Sequence, residues 1–350
     1  MKIEAEKFKA GFELIDLIPS ESILPSSQFV HLVAKENVLR MKLTGIATAE
    51  AKVACQGDIS FYVARRELSL FLNRATGTIT CEVDKKGIAL RSAKDKLITA
   101  QQKAVEGYAE IKPPTGKKIK LDGKLLSMLA QYGPTNTIDP HLEVICFRKK
   151  LGVFATDALT VAACLEKTEG EELLLPSFVA KLLTKTGLEE IYVDPKGATL
   201  QSPIGKLYQP LPATDKVYPV AETQGLLESA RTEAGLFAFD AREMLDTLKH
   251  VNQFRATNSV IYGKPEVDNK RIRVGSDSST LLAESVMPVK FIKNRAQPEK
   301  FALALDRLAP WLQYVGGLEL EVVFGIMGSL TWMRCVEEST THLIVLAGME

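Results

Sequence analysis

Residues 173–212 read LLLPSFVAKLLTKTGLEEIYVDPKGATLQSPIGKLYQPLP, and the second half of this stretch has a twin 110 residues upstream. VDKKGIALRSAKDKL repeats VDPKGATLQSPIGKL, so that Val83, Asp84, Lys86, Gly87, Leu90, Ser92, Lys96 and Leu97 recur as Val193, Asp194, Lys196, Gly197, Leu200, Ser202, Lys206 and Leu207. Each copy predicts a helix (64–75 and 177–186) stopped by Gly77 or Gly187, followed by three strands joined by tight turns. Asp194, Pro195 and Gly197 suit a type I turn, and Asp84 to Gly87 has the same ends. A repeat of this kind makes the helix-plus-three-strand unit the building block of the chain.

The repeat extends in both directions. Upstream, a charged helix over 5–17 leads to strands at 28–34, 38–44 and 50–55, with Lys35-Glu36-Asn37 as a turn; residues 60–63 then open the first copy of the twin. Residues 112–117, KPPTGK, lack periodicity and mark a linker. Asp122 then caps a helix over 123–132, with strands at 142–147, 152–155 and 160–165 before the second copy. Residues 214–225 read as a second linker. Beyond it, Phe237-Ala238-Phe239 precedes Asp240 and Glu243, an aspartate capping box for a helix over 241–254. Strands at 259–262, 271–276 and 280–288, a helix over 299–315 bearing Pro310, the strand GLELEVVF and a final strand at 342–346 complete the chain. The expected fold class is α+β: six units in three similar domains, 1–112, 113–220 and 221–350, with helices on one side of the sheets.

Composition narrows the function. With 350 residues, 46% hydrophobic and 25% charged, the chain is of ordinary globular make-up. Its 44 basic and 43 acidic residues leave a formal charge of +1, so attraction to nucleic acid has to come from local segregation of charge. Five cysteines scattered singly, with no CxxC pair, fit a reducing cytoplasm and neither a disulfide framework nor a zinc site. No apolar run approaches the roughly 18 residues of a membrane span, and no membrane partner is expected.

The helices carry local segregation. In the helix over 177–186, Phe178, Val179, Leu182 and Leu183 form an apolar stripe opposite Lys181 and Lys185. In that over 241–254, Met244, Leu245, Leu248 and Val251 leave Arg242, Lys249 and Gln253 on the free face. Arg65, Arg66 and Arg74 flank Leu68, Phe71 and Leu72, and Lys117, Lys118, Lys120 and Lys124 crowd the start of another helix. Any one such residue suits a solvated surface; their recurrence on successive helices weakens that reading.

With its six units, the segment GVFATDALTVAA at 152–163 and the terminal strand LIVL, the chain resembles over its whole length the bacterial β sliding clamp, the processivity subunit of DNA polymerase III. The resemblance implies a head-to-tail homodimer, cytoplasmic and nucleoid-associated, whose six domains close a ring around double-stranded DNA. Helices would line the channel, and sheets would form the wall. DNA contacts would fall to Arg65, Arg66, Arg74, Lys124, Lys181, Lys185, Arg242 and Lys249, without sequence specificity. The first helix, with Glu4, Glu6, Glu13 and Asp16, would contribute less than the others.

It also implies a hydrophobic pocket for short peptides of the replicative polymerase, the clamp loader and other clamp-motif proteins. Thr156, Leu159, Val161, Pro210, Val217, Ile344 and Leu346 occupy the matching positions. Where the family continues Gly-x-Arg after Thr-Asp, this chain has Ala158, Leu159 and Thr160. The dimer contact would join Leu97 and Thr99 of one copy to Val251 and Phe254 of the other. Whether the member is cellular or a divergent, phage-type one stays open.

Two other classes are weighed. One is a clamp-like scaffold that binds proteins without encircling DNA. The other is an enzyme using Asp157, Asp240 or the histidines. His31, His141, His250 and His342 have no ligand spacing, and no Walker loop, GxGxxG, GxSxG or HExxH occurs, so neither catalysis nor a cofactor or metal is expected.

Overall fold

The computed structural model describes the chain except residues 19–23, 85–86, 101–104, 115, 134–141, 150, 167–171, 187–189, 195, 211–217, 256–259, 267–269, 277–282, 293–297 and 348–350. The side chains of Asp84, Lys181, Leu182, Thr184, Lys185 and Thr186 also lie outside the description. Helices and antiparallel sheets make up six modules, each built on a strand, a helix and three further strands, to which the first adds a short helix and the fifth a two-residue strand. The first has β1 (Lys2–Glu4), α1 (Ala5–Ile15), the short α2 (Pro25–Gln28), β2 (Phe29–Lys35), β3 (Val38–Thr44) and β4 (Thr48–Ala54). The second has β5 (Ile59–Ala64), α3 (Arg65–Leu72), β6 (Thr78–Asp84), β7 (Gly87–Arg91) and β8 (Lys96–Thr99). The third has β9 (Lys117–Lys120), α4 (Gly123–Leu129), β10 (Val144–Arg148), β11 (Gly152–Thr156) and β12 (Thr160–Leu165).

The fourth has β13 (Leu173–Pro176), α5 (Ser177–Thr186), β14 (Glu190–Asp194), β15 (Gly197–Ser202) and β16 (Gly205–Pro210). An additional helix, α6 (Val220–Thr232), precedes the fifth: β17 (Phe237–Asp240), α7 (Ala241–Asn252), β18 (Ile261–Pro265), β19 (Arg271–Ser276), β20 (Ala283–Pro288) and the two-residue β21 (Lys290–Phe291). The sixth has β22 (Phe301–Leu303), α8 (Leu305–Gly316), β23 (Glu321–Met327), β24 (Leu330–Glu337) and β25 (Thr340–Ala347).

Successive modules exchange their leading strands. β1 pairs with β6 and β5 with β2; β9 pairs with β14 and β13 with β10; β17 pairs with β23 and β22 with β18. Each module therefore lends its leading strand to the sheet of its neighbour in sequence.

By contacts the chain forms two compact units, Met1–Gly123 with Lys181–Pro212, and Lys124–Ala180 with Ala213–Glu350. The first holds an eight-stranded sheet in the order β5-β2-β3-β4-β16-β15-β14-β9 and a four-stranded sheet β1-β6-β7-β8. The second holds a nine-stranded sheet β13-β10-β11-β12-β25-β24-β23-β17-β21 and a four-stranded sheet β20-β19-β18-β22. Each large sheet has a seam where separate modules meet. In the first unit β16 lies on β4, with Lys206 opposite Glu50 and Tyr208 opposite Thr48. In the second β12 lies on β25, with Thr160 opposite Leu346 and Ala162 opposite Ile344.

Local chemistry explains the turns. The Asp194 carboxylate accepts from the Lys196 and Gly197 amides at 2.8 and 3.0 Å. Ser92 Oγ accepts from the Asp95 amide and Ser202 Oγ from the Gly205 amide, both at 3.1 Å, so the repeated serine holds the same turn in both copies. Glu36 and Asn37 both take positive φ, +56° and +60°, the backbone that a two-residue hairpin needs. Asp240 caps α7 by accepting from the Glu243 amide at 2.9 Å. The apolar stripe of α7 (Met244, Leu245, Leu248, Val251) is buried as its period predicts. In the second unit Phe237 stacks on Phe324 at 4.8 Å and Phe301 lies 4.6 Å from Phe324, all three buried. Each such ring stabilises the fold by roughly 1.5–3 kcal/mol.

Four sequence expectations need correction. Lys117, Lys118 and Lys120 do not start a helix; they belong to β9, and Lys118 meets Glu190 on the neighbouring strand at 2.6 Å. The stretch 214–225 is not wholly a linker, because α6 begins at Val220 directly after Pro219 and buries Thr223, Leu227 and Ala230 at helical spacing. Leu227 and Ala230 join a core with Trp332, Leu343 and Val345. The segment 299–315 is divided between β22 and α8, since Phe301 and Leu303 pair into the sheet and the helix starts at Leu305. β24, central to the nine-stranded sheet, was not read, because Thr331, Arg334 and Glu337 interrupt its apolar pattern.

Pro310 lies inside α8, and the Tyr132 hydroxyl serves the same turn. It donates to the Arg307 carbonyl at 2.7 Å and accepts from the Trp311 amide at 3.2 Å, two groups four residues apart. Burial holds the Tyr132 phenol far above its usual titration range, so it remains a donor at all ordinary pH.

Candidate functional site

The Thr-Asp segment forms the tight turn between β11 and β12. Asp157 accepts from the Leu159 and Thr160 amides at 2.9 and 2.6 Å, and Thr156 Oγ1 accepts from the Ala158 amide at 3.1 Å. Ala158 sits at φ +72°, in the left-handed region that glycine would occupy without strain. Arg307 of α8 closes the turn from the other side. Its guanidinium donates to Thr160 Oγ1 at 2.6 Å and to both Asp157 oxygens at 3.2–3.3 Å. The carboxylate is thus occupied by two amides and a guanidinium, which makes it a turn holder.

This turn displays Leu159, 54% exposed, and ties it to the terminal strand, where the Ala347 amide donates to the Leu159 carbonyl at 2.8 Å. Leu159 and Leu346 line a groove of about 390 Å³ with Ala302, Ala304, Ile326 and Thr331, and Lys300 and Arg307 stand at it. An apolar floor with a few polar groups around it can seat one or two side chains of a linear segment.

The other expected pocket residues separate. Thr156 and Ile344 are buried, at 2% and 0% exposure, and serve the protein interior. Val161 belongs with Val345 to the core under α6, because alternate residues of β12 and β25 face opposite sides of the sheet. Pro210 is exposed at the end of β16 in the first unit, and Val217 lies outside the described residues. Arg307 escaped sequence reasoning because its partners, Asp157 and Thr160, lie 150 and 147 residues away along the chain.

The basic residues differ as much. Arg65 is committed inside the first unit: its guanidinium donates to Asp16 Oδ1 at 2.6 Å and to the Asp16 and Ile18 carbonyls. Its side chain is only 12% exposed and its charge is matched by Asp16. Arg66 is exposed on α3, and Arg74, exposed just beyond, lies 3.5 Å from Asp95. Lys124 is exposed at the start of α4. On α7 both Arg242 and Lys249 are exposed, although Arg242 also donates to the Gly316 carbonyl and to Glu319 at 2.8 and 2.9 Å. Lys181 and Lys185 lie on α5 with side chains outside the described part. The solvent face of α1 is mixed, with Glu6, Lys7, Lys9 and Glu13 exposed.

At the expected contact surfaces, β8 forms one edge of its four-stranded sheet among the described residues, with Leu97 and Thr99 half-buried and Ile98 63% exposed. Phe254 is 43% exposed, whereas Val251 is fully buried on the inner stripe of α7 and is a core residue. In the sheet β20-β19-β18-β22 of the second unit, β20 forms one edge among the described residues and shows Val286 at 44% exposure. Among the described residues no group of three or more His, Cys, Asp or Glu is placed to hold a metal, and no helix is long and apolar enough to cross a membrane.

No protein-family model matches this chain, and no curated protein matches it in sequence. Solved structures do match. A DnaN sliding clamp (DNA polymerase III subunit beta) from Pseudomonas aeruginosa, bound to griselimycin, is 13% identical with a TM-score of 0.73, covering 100% of this chain and 99% of its own. The DNA polymerase sliding clamp from Bacillus subtilis is 14% identical with a TM-score of 0.77, covering 100% and 98%. The DNA polymerase III beta subunit from Thermotoga maritima is 15% identical with a TM-score of 0.76 at the same coverage. With identity this low, the likeness lies in the backbone path, and that path is followed from end to end: the chain has the fold of the bacterial sliding clamp.

Proposed function

We propose that this protein is a DNA polymerase processivity factor: two copies join head to tail, enclose duplex DNA and tether partner proteins through the groove at Leu159 and Leu346. The observation that carries the reading is the full-length correspondence with sliding clamps, supported by three pairs of strand-exchanged modules along the chain. The three segments 1–112, 113–220 and 221–350 would act as its domains. β8, with Leu97, Ile98 and Thr99, would meet the β20 and Phe254 region of the second copy, since an open strand edge with exposed apolar side chains calls for a partner.

DNA would be held by Arg66, Arg74, Lys124, Lys181, Lys185, Arg242 and Lys249 through phosphates alone. Contacts of this kind are sequence-independent and fall steeply with salt, which suits sliding. Retention by a closed ring allows each contact to be weak. The role needs no catalytic group, and Asp157 as a turn holder agrees with that.

The test is retention on DNA. A protein that stays on closed circular duplex, leaves it when the circle is cut, and has the solution mass of two copies fits the reading. Equal retention on circular and linear DNA would overturn encirclement and favour a protein-binding scaffold, the reading that the committed Arg65 and the mixed face of α1 favour. Reversing Lys181, Lys185 and Lys249 to glutamate should weaken retention and leave the dimer mass unchanged.

A further inference from the structure

Beside the apolar groove lies a second, charged one of about 660 Å³, formed on one face of the sheet β20-β19-β18-β22. Its lining holds four cations, Lys264, Arg271, Arg273 and Lys300, against two carboxylates, Glu266 and Glu284, an excess of two positive charges. The carboxylates order the cations. Arg273 bridges Glu266 and Glu284, each at 2.9 Å, and Arg271 reaches Glu266 at 3.3 Å. Tyr262 donates to Glu284 at 3.2 Å, and the Lys300 ammonium lies 3.9 Å above the Tyr262 ring. With their ion pairs made, Arg271 and Arg273 keep side chains about half exposed.

The two grooves adjoin. Lys300 lines both, and Ala302 of the apolar groove is the direct cross-strand neighbour of Tyr262 in the charged one. Such neighbours lie about 5 Å apart on one face, less than two residues of extended chain. A segment with its apolar side chain on Leu159 and Leu346 can therefore pass directly over the cations.

We propose that the two grooves form one bipartite site for a linear peptide of a partner protein, in which an apolar anchor fills the Leu159–Leu346 groove and an adjoining acidic segment lies over Lys264, Arg271, Arg273 and Lys300. The inference rests on the groove being a partner-peptide site and adds the charge that selects among partners. A peptide is favoured over nucleic acid because the charged face adjoins an apolar groove that takes side chains, which a phosphate backbone does not offer. Rim charges of this kind act on specificity and association rate, and salt weakens them.

The test uses the full-length protein and three short fluorescent peptides that share a Leu-Leu-Phe anchor and differ in a flank of three aspartates, three serines or three lysines. The acidic peptide should bind about tenfold tighter than the serine one at low salt, with the lysine one weakest and the differences closing at high salt. A Lys264→Glu/Arg271→Glu variant should abolish that preference and leave the serine-flanked peptide unchanged. Equal binding of the acidic and serine peptides would overturn the acidic preference while the groove reading stands. Unchanged binding of the serine peptide to a folded Leu346→Asp variant, or no binding of any peptide, would sink the groove reading and this inference with it. Displacement of the acidic peptide by a short DNA duplex that leaves the serine peptide bound would assign the charged face to nucleic acid and overturn the proposal.

Discussion

The twin stretches of the first compact unit share their turns and part company at their last strand. In the downstream copy β16 lies against β4 inside an eight-stranded sheet; in the upstream copy β8 ends a four-stranded one. The residue that marks the difference is Gly205, whose counterpart in the repeat is Asp95. A Cβ at Gly205 would lie 2.3 Å from the Glu50 carbonyl oxygen and 2.9 Å from the Ala51 Cα, backbone atoms that the strand pairing holds in place. At Asp95 the side chain reaches out to Arg74 at 3.5 Å. One local pattern thus serves two ends: a seam within the chain, which needs glycine, and an edge, which tolerates a charge and leaves Ile98 exposed.

The most damaging test of this contrast is Gly205→Val, which should force β16 from β4 and cost about 3 kcal/mol or more by thermal unfolding, whereas Asp95→Gly should cost well under about 1 kcal/mol. If the Gly205→Val protein melts with the parent, the seam does not depend on that close approach. Next in size is the edge. Ile98→Lys should raise the dissociation constant of the proposed dimer at least about tenfold, read as a fall in mass by sedimentation, with little change in melting temperature. A mass unchanged by the substitution would place the contact elsewhere.

A smaller and equal effect is expected at the shared turn. Ser92→Ala and Ser202→Ala each remove an acceptor for one amide at 3.1 Å, and each should cost about 1 kcal/mol. Losses that differ by more than about 1 kcal/mol would show that the sheets around the turns, and not the turns, dominate. The smallest signal is a rate. Burial pushes both the Cys81 thiol of β6 and the Cys335 thiol of β24 up to about 12, so at pH 8 only about one in 10⁴ of either is thiolate. Cys81, in the sheet with the open edge, should still react first with a thiol reagent in a dilute, monomeric sample, because opening four strands costs less than opening nine. Labelling of Cys335 before Cys81 would reverse the ranking of the two sheets.

The sequence determined a good deal by itself. Helix α5, the strands β3, β12 and β19, the cap at Asp240 and the buried stripe of α7 follow from side-chain period and turn chemistry, which act over a few residues. The turn at Asp157 and the apolar terminal strand were legible too, whereas the pairing of Leu159 with Leu346 at one groove was implied only by the resemblance to the sliding clamp.

What the tertiary structure decided is whatever depends on backbone partners far along the chain. The leading strands β1, β9, β13 and β22 are three or four residues long, too short to show a period, and exist because another module's strand accepts them. For the same reason Arg65 and Arg66 looked alike in sequence although one is spent on Asp16 and the other is exposed. Ile344 and Leu346, two residues apart on one face of β25, likewise divide between interior and groove only because of what packs above each. Local order follows from short-range sterics and hydrogen bonds that neighbours in sequence can satisfy; the strand exchange, the seam at Gly205 and the choice of which cations stay exposed follow from long-range pairing that no single segment contains.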